Sequence, residues 1–158
     1  MEMPQDNSIV EALEIAKEKL LLETLNKKKK LQECCTIPRK EPLQVTTLEE
    51  LDKILKSCKL ALIFFTSPTC PYCRMFEPVF EEAASLLGDR MAFIRIDTYY
   101  SPELAYIFGI MGTPTIIAVR KGKEIDRIVG LPPIEYIEEL LEKMLESENC
   151  PLPEPEHN

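Results

Sequence analysis

Leu60-Ala61-Leu62-Ile63-Phe64-Phe65-Thr66-Ser67-Pro68-Thr69-Cys70-Pro71-Tyr72-Cys73 is the stretch on which the fold turns. Its first six residues are apolar without a break, which predicts a strand covered on both faces. Turn residues Thr66 to Thr69 then lead into a helix that the pattern places from about Cys70 to Leu87, stopped by Gly88. Cys70 thus stands at a helix start, where unpaired amides and the positive dipole end stabilise a thiolate. Only the thiolate is a good nucleophile, and such a setting draws a cysteine pKa towards working pH. Cys73 comes three residues later, inside the first turn and near enough to close a ring with Cys70. Pro71 fixes φ at a position whose amide has no helical partner to lose. The spacing therefore offers Cys70 as attacking nucleophile and Cys73 as resolving thiol, with Pro71 and Tyr72 as the support between them.

A second motif lies downstream, Gly112-Thr113-Pro114-Thr115. Pro114 precedes an apolar run that reads as a strand, a place where proline needs a reason such as an edge, a bulge or a cis bond. A cis Thr113–Pro114 bond facing the dithiol is expected. It would leave the backbone of Thr113 free to pair with an extended substrate segment.

The rest of the chain reads as α/β. Leu43 to Val45 is a short strand, and Thr47 with Glu50 forms a capping box opening a helix to about Ser57. Met91 to Ile96 is a second buried strand, and Pro102 to Phe108 a short helix. Thr115 to Val119 and Glu124 to Val129 flank Lys121-Gly122-Lys123 as a hairpin, before a helix from about Pro133 to Ser147. The order β-α-β-α-β-α-β-β-α gives a central mixed sheet flanked by helices, its first three strands joined by helical crossovers.

Ahead of this block, Ser8 and Glu11 fit a capping box, and Ile9, Leu13, Ala16 and Leu20 recur at helical spacing. They predict an amphipathic helix over about 9–30 that packs on the main domain or self-associates. Cys34 to Pro42 reads as a linker, and Cys150 to Asn158 as a disordered Pro-rich acidic tail. The expected division is 1–42 helical extension and linker, 43–147 main domain, and 148–158 tail.

Residues 43–147 resemble a thioredoxin. The resemblance rests on the strand before Cys70-Pro71-Tyr72-Cys73, Arg74 directly after it, Pro78, Ile96-Asp97, Phe108-Gly109-Ile110, Gly112-Thr113-Pro114-Thr115, the Lys121-Gly122-Lys123 turn and Val129-Gly130. It implies a thioredoxin fold and a thiol–disulfide oxidoreductase that reduces or exchanges protein disulfides, re-reduced by a disulfide reductase. It also implies that Thr113, Val129 and Gly130 form the substrate-binding surface around Cys70, and that Pro78 kinks the active-site helix. Thr69 stands where thioredoxins usually have Trp, and Pro71-Tyr72 where they have Gly-Pro. Phe64 and Phe93 occupy the positions of the family's buried Asp and its Lys partner. Cys-Pro-Tyr-Cys is also a glutaredoxin motif, but the segment from Thr98 to Gly112 and the absence of a Gly-Gly pair favour thioredoxin.

Bulk properties narrow the classes. The 158 residues are 45% apolar and 29% charged, as in ordinary globular chains. A net charge of −8 speaks against nucleic-acid binding, and most of it lies beyond residue 131. No run approaches the length of a membrane span and no targeting segment is visible, so a cytoplasmic protein without cofactor is expected. The remaining cysteines, Cys34, Cys35, Cys58 and Cys150, read as free thiols packed or exposed in the linker rather than as structural bridges. One counter-sign is abundant Glu and Lys beside sparse Asn and Gln, the balance of hyperthermophile proteins, which keep intracellular disulfides. Two other readings stay open: a non-catalytic interaction module docking through its N-terminal helix, and a metal or iron–sulfur binder. The latter is poorly served by the cysteine spacing and by a single histidine, His157.

Overall fold

A computed structural model describes residues 8–154 of the chain. The elements are α1 (Ser8–Cys34), β1 (Leu43–Gln44), α2 (Leu48–Ser57), β2 (Leu60–Thr66), α3 (Pro71–Leu87), β3 (Ala92–Asp97), α4 (Pro102–Ile107), β4 (Thr115–Arg120), β5 (Lys123–Val129) and α5 (Ile134–Ser147). The sheet order is β1-β3-β2-β4-β5. Strands β1, β3 and β2 run parallel, while β4 is antiparallel to β2 and β5 to β4. This is the mixed sheet with a closing hairpin that the sequence predicts.

Strand β2 shows why an unbroken apolar run was needed. Successive side chains point to opposite faces, and both faces are covered. Leu60, Leu62 and Phe64 join α3 and α5 in one core layer, with Phe76, Phe80, Phe93, Ile116 and Leu141. Ala61, Ile63 and Phe65 join the other layer, with Leu51 of α2, Ile94, Ile96, Leu104 and Ile117. Thr47 caps α2, its hydroxyl accepting from the Glu50 amide at 3.2 Å. Helix α3 carries Pro78 in its interior and continues to Leu87. Arg95 of β3 reaches Glu77 and Glu81 of α3, tying the helix to the sheet.

Three expectations change. The first helix runs to Cys34 rather than ending near Lys30, so the segment after it is shorter than the linker read from the sequence. The cysteines are not free: Cys34 is bridged to Cys150 and Cys35 to Cys58. All four are buried. As adjacent residues they face opposite ways, Cys34 into the α3–α5 layer and Cys35 into the α2 layer, where Cys35 also forms an isolated antiparallel bridge with Cys58. The start of the tail belongs to the fold, because Cys150 is bridged and the Pro151 carbonyl accepts from Arg90 at 2.6 Å. His157 and the end of the tail lie outside the described residues. No helix among those residues is long and apolar enough to cross a membrane.

Candidate active site

The end of β2 delivers the chain to one edge of the sheet, and α3 begins there. Cys70 is the N-cap of α3: its backbone is extended, Pro71 occupies the first turn, and Cys70 Sγ accepts from the Cys73 amide at 3.1 Å. The Arg74 amide bonds the Cys70 carbonyl at 3.3 Å. Both inputs follow from local sequence, since a cap residue keeps non-helical backbone and proline is pre-set for the first turn. Cys70 and Cys73 form a disulfide, with Cα atoms 5.2 Å apart. Cys70 is 7% exposed and Cys73 2%, so the first cysteine lies nearer the surface. Tyr72 beside them is exposed.

The Gly112–Thr115 loop meets this helix start from β4. The Thr113–Pro114 bond is cis. Thr113 hydroxyl lies 3.1 Å from that of Ser67, joining the loop to the segment that carries Cys70. Thr115 hydroxyl donates to the Gly112 carbonyl at 2.6 Å and folds the loop on itself. The Gly130 amide donates to the Pro114 carbonyl at 2.8 Å, and Val129 pairs with Thr115 across the β4–β5 ladder. Gly130 has φ +94°, a backbone that glycine adopts without cost. Val129 is exposed, as is Met111, at 98%. The structure therefore brings Thr113, Pro114, Val129 and Gly130 together at one edge, joined through Ser67 to the segment leading into Cys70.

Behind the dithiol the wall is aromatic. Phe64 and Phe93 are fully buried in the layer that also holds Cys70 and Cys73. Phe64 meets Phe76 edge-on with centroids 5.0 Å apart and Phe80 at 5.2 Å, and Phe80 meets Phe93 at 5.6 Å. Edge-to-face packing of this kind adds about 0.5–1.5 kcal/mol per pair beyond burial. The buried residues gathered around Cys70 and Cys73 are apolar.

Two contributors escaped the sequence. In the sequence Ser67 is only a turn residue, because its partner lies 46 positions away. Phe76 and Phe80 are spaced as one helical face, a signal for core packing that does not by itself say they back a dithiol.

The thioredoxin family model matches residues 42–143. Thioredoxin from Bacillus subtilis (strain 168) is 34% identical over 86 residues, covering 54% of this chain and 83% of that protein. Thioredoxin M4, chloroplastic, from Arabidopsis thaliana is 34% identical over 93 residues, 59% of this chain, which spans 48% of that longer protein. Among solved structures, a mutant thioredoxin from Halobacterium salinarum NRC-1 superposes with a TM-score of 0.64 at 30% identity, covering 68% of this chain and 94% of that one.

Proposed function

Since the chain belongs to the thioredoxin family, whose members carry thiol–disulfide oxidoreductase activity, we propose that it reduces protein disulfides through Cys70 and Cys73. The observation that carries this reading is the placement of Cys70 as N-cap of a 17-residue helix, with Cys73 bonded back to its sulfur one turn in. The dipole and first-turn amides favour Cys70 as thiolate. Cys70 attacks one sulfur of a substrate disulfide, forming a mixed disulfide and releasing the other sulfur as thiolate. Cys73 loses its proton and attacks Cys70 Sγ, which frees the second substrate sulfur and leaves the Cys70–Cys73 bond. Two electrons have then passed to the substrate, and a disulfide reductase must return them.

Thr113, presented by the cis Pro114, would pair its backbone with the extended substrate segment, with Val129 and Gly130 alongside. With Phe64 and Phe93 in the wall behind the dithiol, water, substrate or another group takes the Cys73 proton. Residues 43–147 are the exchanging unit in this reading, with 1–42 and 148–158 as additions to it. In a cytoplasm, the two other buried bridges would persist as they do in intracellular proteins of hyperthermophiles.

An insulin-reduction assay is the test. Cys70→Ser should abolish turnover, and Cys73→Ser should accumulate protein substrates as mixed disulfides on non-reducing gels. Undiminished turnover in Cys70→Ser overturns the assignment.

A further inference from the structure

Helix α1 is 27 residues long, about 40 Å at the usual rise. From Ser8 to Asn26 every residue is exposed, and only Lys27, Leu31 and Cys34 in its last turns are shielded. Between Ile9 and Leu25, eight large aliphatic side chains are each at least 51% exposed. Leu20, Leu21 and Leu22 are consecutive, so at 100° per residue they put an aliphatic group on three sides of the helix at one level. A helix apolar on several sides is normally buried, and helices draw most of their stability from such packing.

No described part of the chain buries it. Cys34 and Cys35 anchor the helix end to Cys150 and Cys58, and Lys27 pairs with Glu154 at 2.6 Å. Anchored only at its last turns, α1 leaves residues 8–26 exposed.

The charge along α1 suits a second copy of itself. The half from Ser8 to Glu23 has four glutamates against two lysines, while Thr24 to Cys34 has four lysines against one glutamate. An antiparallel copy centred on Leu21 sets the acidic half of each helix against the basic half of the other. Glu14 then faces Lys28, Glu11 lies near Lys30, and Leu21 meets its counterpart at the two-fold axis with Leu20 and Leu22 flanking it. Parallel pairing would instead face like with like. We propose that α1 is a dimerisation element that pairs antiparallel with α1 of a second copy of this chain, in a closed isologous contact.

Sedimentation equilibrium of the full chain tests this. The wild type is expected to reach the mass of two chains. Leu20→Lys with Leu21→Lys should raise the dissociation constant at least about tenfold, since each chain loses two buried leucines from the contact. Glu11→Lys with Glu14→Lys should also weaken pairing, and adding Lys28→Glu with Lys30→Glu to the same chain should restore it. In a parallel pair each residue faces its own counterpart, so neither charge set would move the constant. An unchanged thermal transition of the domain in every variant separates lost pairing from lost folding. A wild type that stays monomeric at all concentrations overturns the proposal. So does a dimer indifferent to the leucine pair, or one lost only on Leu86→Lys in the apolar groove between α3 and α5.

Discussion

Gly88 ends α3 in ordinary right-handed backbone, φ −64°, so its value is not a left-handed turn. A Cβ there would run into the Arg39 and Ala84 carbonyls. Both obstacles are backbone, and the Arg39 amide donates to the Gly88 carbonyl at 2.9 Å, so neither strand of chain can step aside. Gly88→Ala should therefore lower stability by about 1–3 kcal/mol, the usual cost of overpacking, read as a shifted urea midpoint. In the sequence Gly88 is legible as a stop, but not as a close approach to residue 39. The same boundary holds at the candidate site. Cys70, Cys73 and Pro114 announce themselves because helix start, dithiol spacing and strand start are local signals. The Ser67–Thr113 contact does not, because only the folded sheet brings those positions together.

Among the elements, α5 is fastened at its end by one carboxylate. Glu148 is the C-cap of α5, its side chain 5% exposed, with Arg120 Nε at 3.0 Å and Lys121 Nζ at 3.2 Å from the β4–β5 hairpin. Loss of solvent pushes its carboxyl pKa up, but the hydrogen bonds and charges of Lys121 and Arg120 outweigh this and hold the group below the usual carboxylate range. A lowered folded pKa stabilises above the unfolded carboxylate value of about 4.3, and that contribution disappears as pH falls through the folded value. Glu148→Gln should thus be less stable than wild type at pH 6–7, with the gap closing towards pH 3, in denaturation curves taken across that range. Element boundaries explain most of what the sequence concealed. The periodicity of α1 fades after Leu20 into a lysine run, yet the helix continues to Cys34, which is bridged to Cys150. The Pro-rich tail looks unstructured by composition, while the Cys150 bridge and the Arg90–Pro151 bond hold its beginning in place.

For the molecule as a whole, the sheet and its two layers were legible because each strand and helix carried its own pattern. Cysteine pairing was not, since six cysteines allow 15 connectivities and spacing alone does not choose among them. The observed pairing leaves Cys70–Cys73 as a three-residue loop and adds closures over 23 and 116 residues. In the chain-entropy model the longer closure stabilises by about 5 kcal/mol and the shorter by about 3 kcal/mol. Replacing Cys34 and Cys150 together by Ala should therefore lower the unfolding free energy more than replacing Cys35 and Cys58 together. Calorimetry of the two double variants checks the order.

The Cys34–Cys150 bond has one more effect, on how the chain can be broken. It encloses every peptide bond of the sheet and of α2 to α5 within a single covalent ring. A protease that cuts anywhere between those two cysteines opens the ring without dividing it, because the two pieces stay joined through sulfur. A single cut sheds a fragment only before Cys34 or after Cys150, so under oxidising conditions one cleavage can trim this protein from its ends but cannot split it.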